Sequence, residues 1–242
     1  MRAWLPNIIT LINLFFGCAA VILLLNAQFI PAIWCLLGGL MADFLDGMVA
    51  RWLGVSNPVG KELDSLADMV TFGLAPGMIY YVLLYFRGSM PPEWPTTFAW
   101  SWWAAPAFLV TLFSAVRLAN FNLDDRQTDD FIGLATPSST LYAAGLLLIV
   151  ATNANDWAVW VLNPLVLYGS IALMSYLLVA EVRMFSFKFK QWGWVGNELR
   201  FIFAALAVLL LLFLQQAALP FIVIIYLLLN LGAAVFSTTT GQ

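Results

Sequence analysis

The chain has 242 residues, a formal net charge of −3, 63% hydrophobic side chains and only 10% charged ones. Its mean hydropathy is +0.91. These values exclude an ordinary soluble domain and indicate an all-α polytopic membrane protein. A β-barrel is disfavoured because the apolar segments are continuous rather than alternating. There is no histidine, so a general base would have to be a carboxylate, tyrosine, cysteine or lysine.

Eight apolar segments are long enough to span, at roughly 7–25, 30–52, 58–86, 97–121, 136–153, 157–180, 199–216 and 219–236. Met1 to Leu5 precede the first and Pro6 opens it, so this segment is expected to stay as a transmembrane helix rather than be cleaved. Cys18 and Cys35 lie mid-segment and read as packing residues, not a disulfide or a zinc site. Asn57-Pro58 reads as a helix N-cap with proline at the first helical position. Met90 to Pro95 reads as a stiff loop, and Leu219-Pro220 as a tight reversal.

Basic residues set the orientation. With the N-terminus in the cytoplasm, Arg2, Arg51, Lys61, Arg117, Arg126, Arg183, Lys188, Lys190 and Arg200 fall on the cytoplasmic side, and only Arg87 does not. Trp94, Trp100, Trp102 and Trp103 then form an aromatic belt at the opposite interface. The stretch from Arg183 to Lys190, with Phe185, Phe187, Phe189 and nearby Trp192, is expected at the membrane surface against anionic lipid. The acidic run from Asp124 to Asp130 reads as a solvated connection.

Segments two and three carry four aspartates, Asp43, Asp46, Asp64 and Asp68. Each carboxylate at mid-bilayer costs ~2.5–3.5 kcal/mol, so the group needs compensation. Helical spacing puts Asp43, Asp46, Gly47 and Ala50 on one face, and Gly60, Asp64 and Asp68 on another. At ~1.5 Å per residue, Asp43 and Asp68 each lie about 12 Å from the connecting turn. Two antiparallel helices can therefore aim all four at one point that is reachable from the cytoplasm. Two divalent cations would neutralise them, and all-oxygen ligation favours Mg²⁺, Mn²⁺ or Ca²⁺ over zinc. Gly47 and Gly60 leave room for a bulky substrate, Arg51 can pair with a phosphate, and the helix start near Asn57 adds backbone donors. Arg51 and Lys61 are too few to balance these aspartates and Glu62, which argues against a purely structural ion-pair cluster. An ion-coupled transporter is the alternative of a different class.

The residues Asp43-x2-Asp46-Gly47-x2-Ala50-Arg51-x8-Gly60-x3-Asp64-x3-Asp68 resemble the signature of the CDP-alcohol phosphotransferase family at every fixed position. The resemblance implies an integral-membrane, usually homodimeric transferase with a six-helix core. It implies Asp43, Asp46, Asp64 and Asp68 as ligands of two Mg²⁺ or Mn²⁺ ions, with Asp68 also the proton acceptor. Gly47, Arg51, Gly60 and Asn57 match positions at the CDP-lipid, although Asn57 stands where Ser or Thr is common and Ser56 is a substitute. Pro6-Asn7-Ile-Ile-Thr10 looks like the family's entry to its first helix, which brings Asn7 and Thr10 into the CDP-lipid set.

Further residues resemble the phosphatidylserine synthase branch. Asp68-Met-Val-Thr71-Phe72-Gly73-Leu74-Ala75-Pro76 matches one of its runs. Arg117-Leu-Ala-Asn120-Phe121-Asn122 departs from another at Asn120, where the branch has arginine. Phe131-Ile-Gly133-Leu134-Ala135-Thr-Pro137 departs at Ala135, where proline is usual. The branch implies transfer of a phosphatidyl group from CDP-diacylglycerol to L-serine, with Arg117, Asn120 and Asn122 near the acceptor. Glycerol-3-phosphate or an inositol phosphate is the alternative acceptor. Physically, Arg117 is either a cation for the acceptor or lipid phosphate, or a side chain snorkelling to anchor its helix end. The expected organisation is a catalytic core over 1–180, a basic and aromatic cytoplasmic connection over 181–198, a hairpin over 199–236 and a tail over 237–242. The hairpin has no charged side chain after Arg200 and reads as packing or dimer support. The expected setting is the cytoplasmic membrane, with membrane lipids and no nucleic acid as partners.

Overall fold

The computed structural model describes residues 4–55, 58–86, 98–123, 131–184, 193 and 197–239. The readings made on Asn57, Ser56, Arg2, Arg87, Trp94, the 90–95 and 124–130 connections, Lys188, Lys190 and Trp192 lie outside those residues, as does the end of the tail.

The elements are α1 (Leu5–Leu25), α2 (Phe29–Leu53), α3 (Pro58–Asp68), a π-helical segment (Met69–Leu74), α4 (Ala75–Tyr85), α5 (Phe108–Leu123), α6 (Thr136–Thr152), α7 (Ala158–Val161), α8 (Pro164–Val179), α9 (Glu198–Leu214) and α10 (Ala218–Thr239). Two-residue strands β1 (Phe131–Ile132) and β2 (Arg183–Met184) pair antiparallel. The protein is thus a helical membrane bundle with one short bridge between connections. Long apolar runs cover Leu5–Leu25, Phe29–Leu53, Pro58–Tyr85, Ala105–Leu123 and Glu198–Gly232, and the apolar helices Thr136–Thr152 and Pro164–Val179 are shorter.

The last long run is not one straight rod. Gln215 has φ 46° and ψ −110°, which breaks the helix between α9 and α10. The ring centroids of Phe203 and Tyr226 lie 5.9 Å apart, so the two helices fold back on each other. The expected tight reversal is therefore present, a few residues before Pro220. Two other segments differ from the sequence reading. Helix α5 begins only at Phe108, after a 3₁₀ turn at Ala105–Ala107, and the tryptophans at 100, 102 and 103 lie exposed before it. The apolar segment at 157–180 breaks between α7 and α8 because Pro164 cannot continue a helix; the Asn163 side chain instead accepts a hydrogen bond from the Leu165 amide at 2.9 Å. Cys18 and Cys35 are both free; Cys18 lies on the exposed surface rather than in the packed interior.

Helix α4 is the centre of the bundle, with every residue from Ala75 to Leu84 buried. Helix α1 packs along α2 through a stripe of small and polar residues, Asn7, Thr10, Asn13, Gly17 and Ala20, all buried. The missing side chains at Gly17 and Gly39 let α1 and α2 close on the π-helical segment, since a Cβ on either would run into Thr71. Helix α2 ends at Gly54 in the left-handed conformation (φ 62°), where glycine carries no Cβ penalty. On the other side, Gly133 (φ 77°) turns the chain under α8. Its amide donates to the Val182 carbonyl at 2.9 Å, and a Cβ there would sit 2.9 Å from the Leu178 carbonyl oxygen. This turn sets the Leu134 carbonyl against α5.

Candidate active site

The turn between α2 and α3 places the acidic faces of the two helices together. Asp43, Asp64 and Asp68 each present a carboxylate oxygen, and those oxygens all lie within 4.8 Å of one another. Like charges that close repel by ~3–4 kcal/mol per pair at an effective dielectric of ~20, so the arrangement calls for a cation. Asp64 Oδ1 is buried and has no hydrogen-bond partner. The donor set is oxygen only, without imidazole or thiolate, which suits a hard divalent ion. Asp43, Asp64 and Asp68 therefore fit a metal.

The fourth aspartate is held differently. Asp46 is buried, and Thr10 donates to its Oδ2 at 2.5 Å. It does not join the tight carboxylate triad. Instead it lines a cavity of about 260 Å³ beside the triad, together with Pro6, Asn7, Thr10, Gly47, Ala50, Val55, Gly60, Lys61 and Asp64. Asp64 belongs to both cavity and triad and so joins the two. Arg51 is exposed, and a Cβ on Gly47 would lie 3.5 Å from its guanidinium, so the arginine folds back along its own helix over the cavity wall.

The acceptor residues inferred from sequence separate. Arg117 is 7% exposed; its Nε donates to the Leu134 carbonyl at 2.7 Å and its guanidinium stacks 5.2 Å from the Phe121 ring centre. It faces the bundle interior and does not snorkel, which corrects the anchoring alternative. The reason is the Gly133 turn, which supplies a buried carbonyl for the guanidinium. Asn122 ties α5 to α3: its side-chain Nδ2 donates to Ser65 Oγ at 2.8 Å and its backbone carbonyl accepts from Lys61 Nζ at 2.8 Å. Asn120 is exposed.

Two features escaped the sequence reading. Asn13 is fully buried and donates from Nδ2 to Asp68 Oδ1 at 3.2 Å. Its signal was available, because Asn7, Thr10, Asn13 and Gly17 recur every three to four residues along one face of α1. The π-helical turn after Asp68 had no comparable signal.

A family model described as CDP-alcohol phosphatidyltransferase matches residues 3–174. A curated CDP-diacylglycerol–serine O-phosphatidyltransferase of Helicobacter pylori is 31% identical over 191 residues, covering 78% of this chain and 74% of its own. A protein of the same name from Bacillus subtilis is 31% identical over 189 residues, covering 76% of this chain and 92% of its own. One from Methanocaldococcus jannaschii is 27% identical over 172 residues, covering 71% and 74%.

Proposed function

Since this chain belongs to the CDP-alcohol phosphatidyltransferase family, we propose that it transfers the phosphatidyl group of CDP-diacylglycerol to the hydroxyl of L-serine, giving phosphatidylserine and CMP. The observation that carries the reaction is the Asp43, Asp64 and Asp68 triad opening onto the glycine-lined cavity. The choice of serine is supported by the names of the relatives.

In this reading the serine oxygen forms a bond to the lipid-side phosphorus, the bridging bond to CMP breaks, and the serine hydroxyl proton passes to Asp68. Asp43, Asp46, Asp64 and Asp68 would hold two ions, Mg²⁺ or Mn²⁺. Bound ions would neutralise the diphosphate and stabilise charge on departing CMP. Asn7, Thr10, Gly47 and Gly60 shape the wall against which the CDP group rests, Arg51 reaches a phosphate oxygen, and Asn57 joins them by the family pattern alone. Of the three acceptor candidates Arg117 is assigned to the acceptor, since it faces the bundle interior, whereas Asn122 ties α5 to α3 and Asn120 is exposed. Arg117 supplies the cation for the serine carboxylate, a role its burial strengthens because a desolvated charge pair is less screened. The catalytic unit is 1–180, working as a homodimer with its site at the cytoplasmic face. The 181–198 connection, the 199–236 hairpin and the 237–242 tail lie beyond it. The orientation rests on the basic residues, and the cytoplasm supplies both serine and metal.

Purified protein in detergent with Mn²⁺ or Mg²⁺, CDP-diacylglycerol and labelled serine is expected to release CMP and a labelled lipid in equal amounts. CMP release with glycerol-3-phosphate but not serine would overturn the acceptor assignment, and no release with any alcohol would overturn the reaction. Arg117→Ala is expected to raise the KM for serine about 10-fold or more, as loss of a charged hydrogen bond worth ~1.5–3 kcal/mol implies. An unchanged serine KM would remove Arg117 from the acceptor site.

A further inference from the structure

The polypeptide switches from α to π geometry immediately after Asp68, over Met69–Leu74. Such turns are rare and insert an extra residue, which rotates the helix beyond them by about 100° relative to an uninterrupted one. The turn lies between α3, which aims Asp64 and Asp68 at α2, and α4, which is buried from Ala75 to Leu84.

A π turn disturbs the backbone hydrogen-bond ladder, and neighbouring helices supply replacements. Thr111 of α5 donates to the Gly73 carbonyl at 3.0 Å. Thr140 of α6 lies 3.3 Å from the Phe72 carbonyl and shares its hydroxyl with the carbonyl of Thr136. Within the segment, Thr71 donates to the backbone carbonyl of Asn13 at 3.1 Å. Asn13 then spends its amide on Asp68 Oδ1, and its own Oδ1 has no partner. The chain of contacts runs from the π turn through Thr71 and Asn13 back to the carboxylate that precedes the turn. The packing at Gly17 and Gly39 holds it without slack.

We propose that Asn13 is a positioning residue for Asp68, locked in place by Thr71 and the π-helical turn. One carboxylate oxygen is fixed by the amide, so that the other is presented to the triad and to the incoming hydroxyl. The inference rests on Asp68 being the proton acceptor.

The test compares Asn13→Leu, close in size but without a donor, with wild type. CMP release and equilibrium binding of CDP-diacylglycerol are both measured in the presence of Mn²⁺. Turnover is expected to fall about 10- to 100-fold, the scale of a small misplacement of a reacting group. CDP-diacylglycerol should bind with unchanged stoichiometry and a Kd within about 3-fold of wild type. In folded Asn13→Leu protein, unchanged turnover, or a turnover loss matched by an equal loss of CDP-diacylglycerol affinity, overturns the proposal. Thr71→Val removes the link from the turn without touching Asn13, and stands in where Asn13→Leu fails to fold. It is expected to lower turnover about 3- to 10-fold at unchanged binding stoichiometry, and wild-type turnover in it equally overturns the proposal. Failure of the functional reading is distinguishable, because wild-type protein would then release no CMP.

Discussion

Asp68→Asn is expected to lower CMP release at least ~10³-fold while leaving the bundle folded. Asparagine is nearly isosteric and can still face the Asn13 amide through its carbonyl oxygen, so the α1–α3 contact at 3.2 Å survives in form. What disappears is a proton acceptor within the carboxylate triad, whose oxygens lie within 4.8 Å of one another. A positioned general base contributes ~10²–10⁴-fold, and a weakened metal site adds to the loss. Asp64→Asn also removes a triad carboxylate, but it should show a different signature: its defect is partly relieved at high Mn²⁺, whereas that of Asp68→Asn is not. Turnover of Asp68→Asn within 10-fold of wild type would exclude it as the base. Relief of both variants by metal would reduce Asp68 to a ligand alone.

Chelation with EDTA is expected to abolish CMP release completely, with recovery on adding Mn²⁺ or Mg²⁺. The physical basis is the unbalanced charge at the α2–α3 turn and the buried, unpartnered Asp64 Oδ1. An ion that binds the folded state stabilises it by RT ln(1 + [L]/Kd), about 2.7 kcal/mol at 100 times Kd. Mn²⁺ should therefore raise the Tm of wild-type protein in detergent, and should raise that of Asp43→Ala much less. Full activity after exhaustive chelation would remove the metal from the mechanism. An equal Tm rise in wild type and Asp43→Ala would place the ion elsewhere.

Several features were legible in the sequence because they depend on local periodicity. The membrane class followed from composition, since continuous apolar runs must satisfy their backbone groups internally and therefore form helices. The start of α3 was marked by Pro58, a residue suited to the first helical position, while the Gly54 cap that ends α2 was not read from the sequence. The i+3 and i+4 spacing on two antiparallel helices of matched depth pointed all four aspartates at one place, and the structure brings Asp43, Asp64 and Asp68 together there. Asn7, Thr10, Gly47 and Gly60 were named from the family pattern, and the structure brings all of them to the wall of one cavity.

Other features arise only in three dimensions. Asp46 has the same sequence signal as its neighbours, yet Thr10 of α1 captures it and turns it toward the cavity. Arg117 near a helix end looks like an interfacial anchor until the Gly133 turn brings a buried carbonyl to its guanidinium. Asn120 and Asn122 are two residues apart and so point in different directions; packing against Ser65 and Lys61 selects Asn122 for the α3–α5 contact. The π turn after Asp68 has no local signature, and the hydroxyls that accommodate it come from α5 and α6. Helical period and hydropathy are properties of neighbours along the chain, so they already specified a helical membrane protein with a carboxylate cluster, and the resemblance of its spacing to the family signature added the chemistry. Which carboxylates meet, which arginine faces inward and how Asp68 is held were settled by packing, because each depends on atoms from helices far apart in sequence.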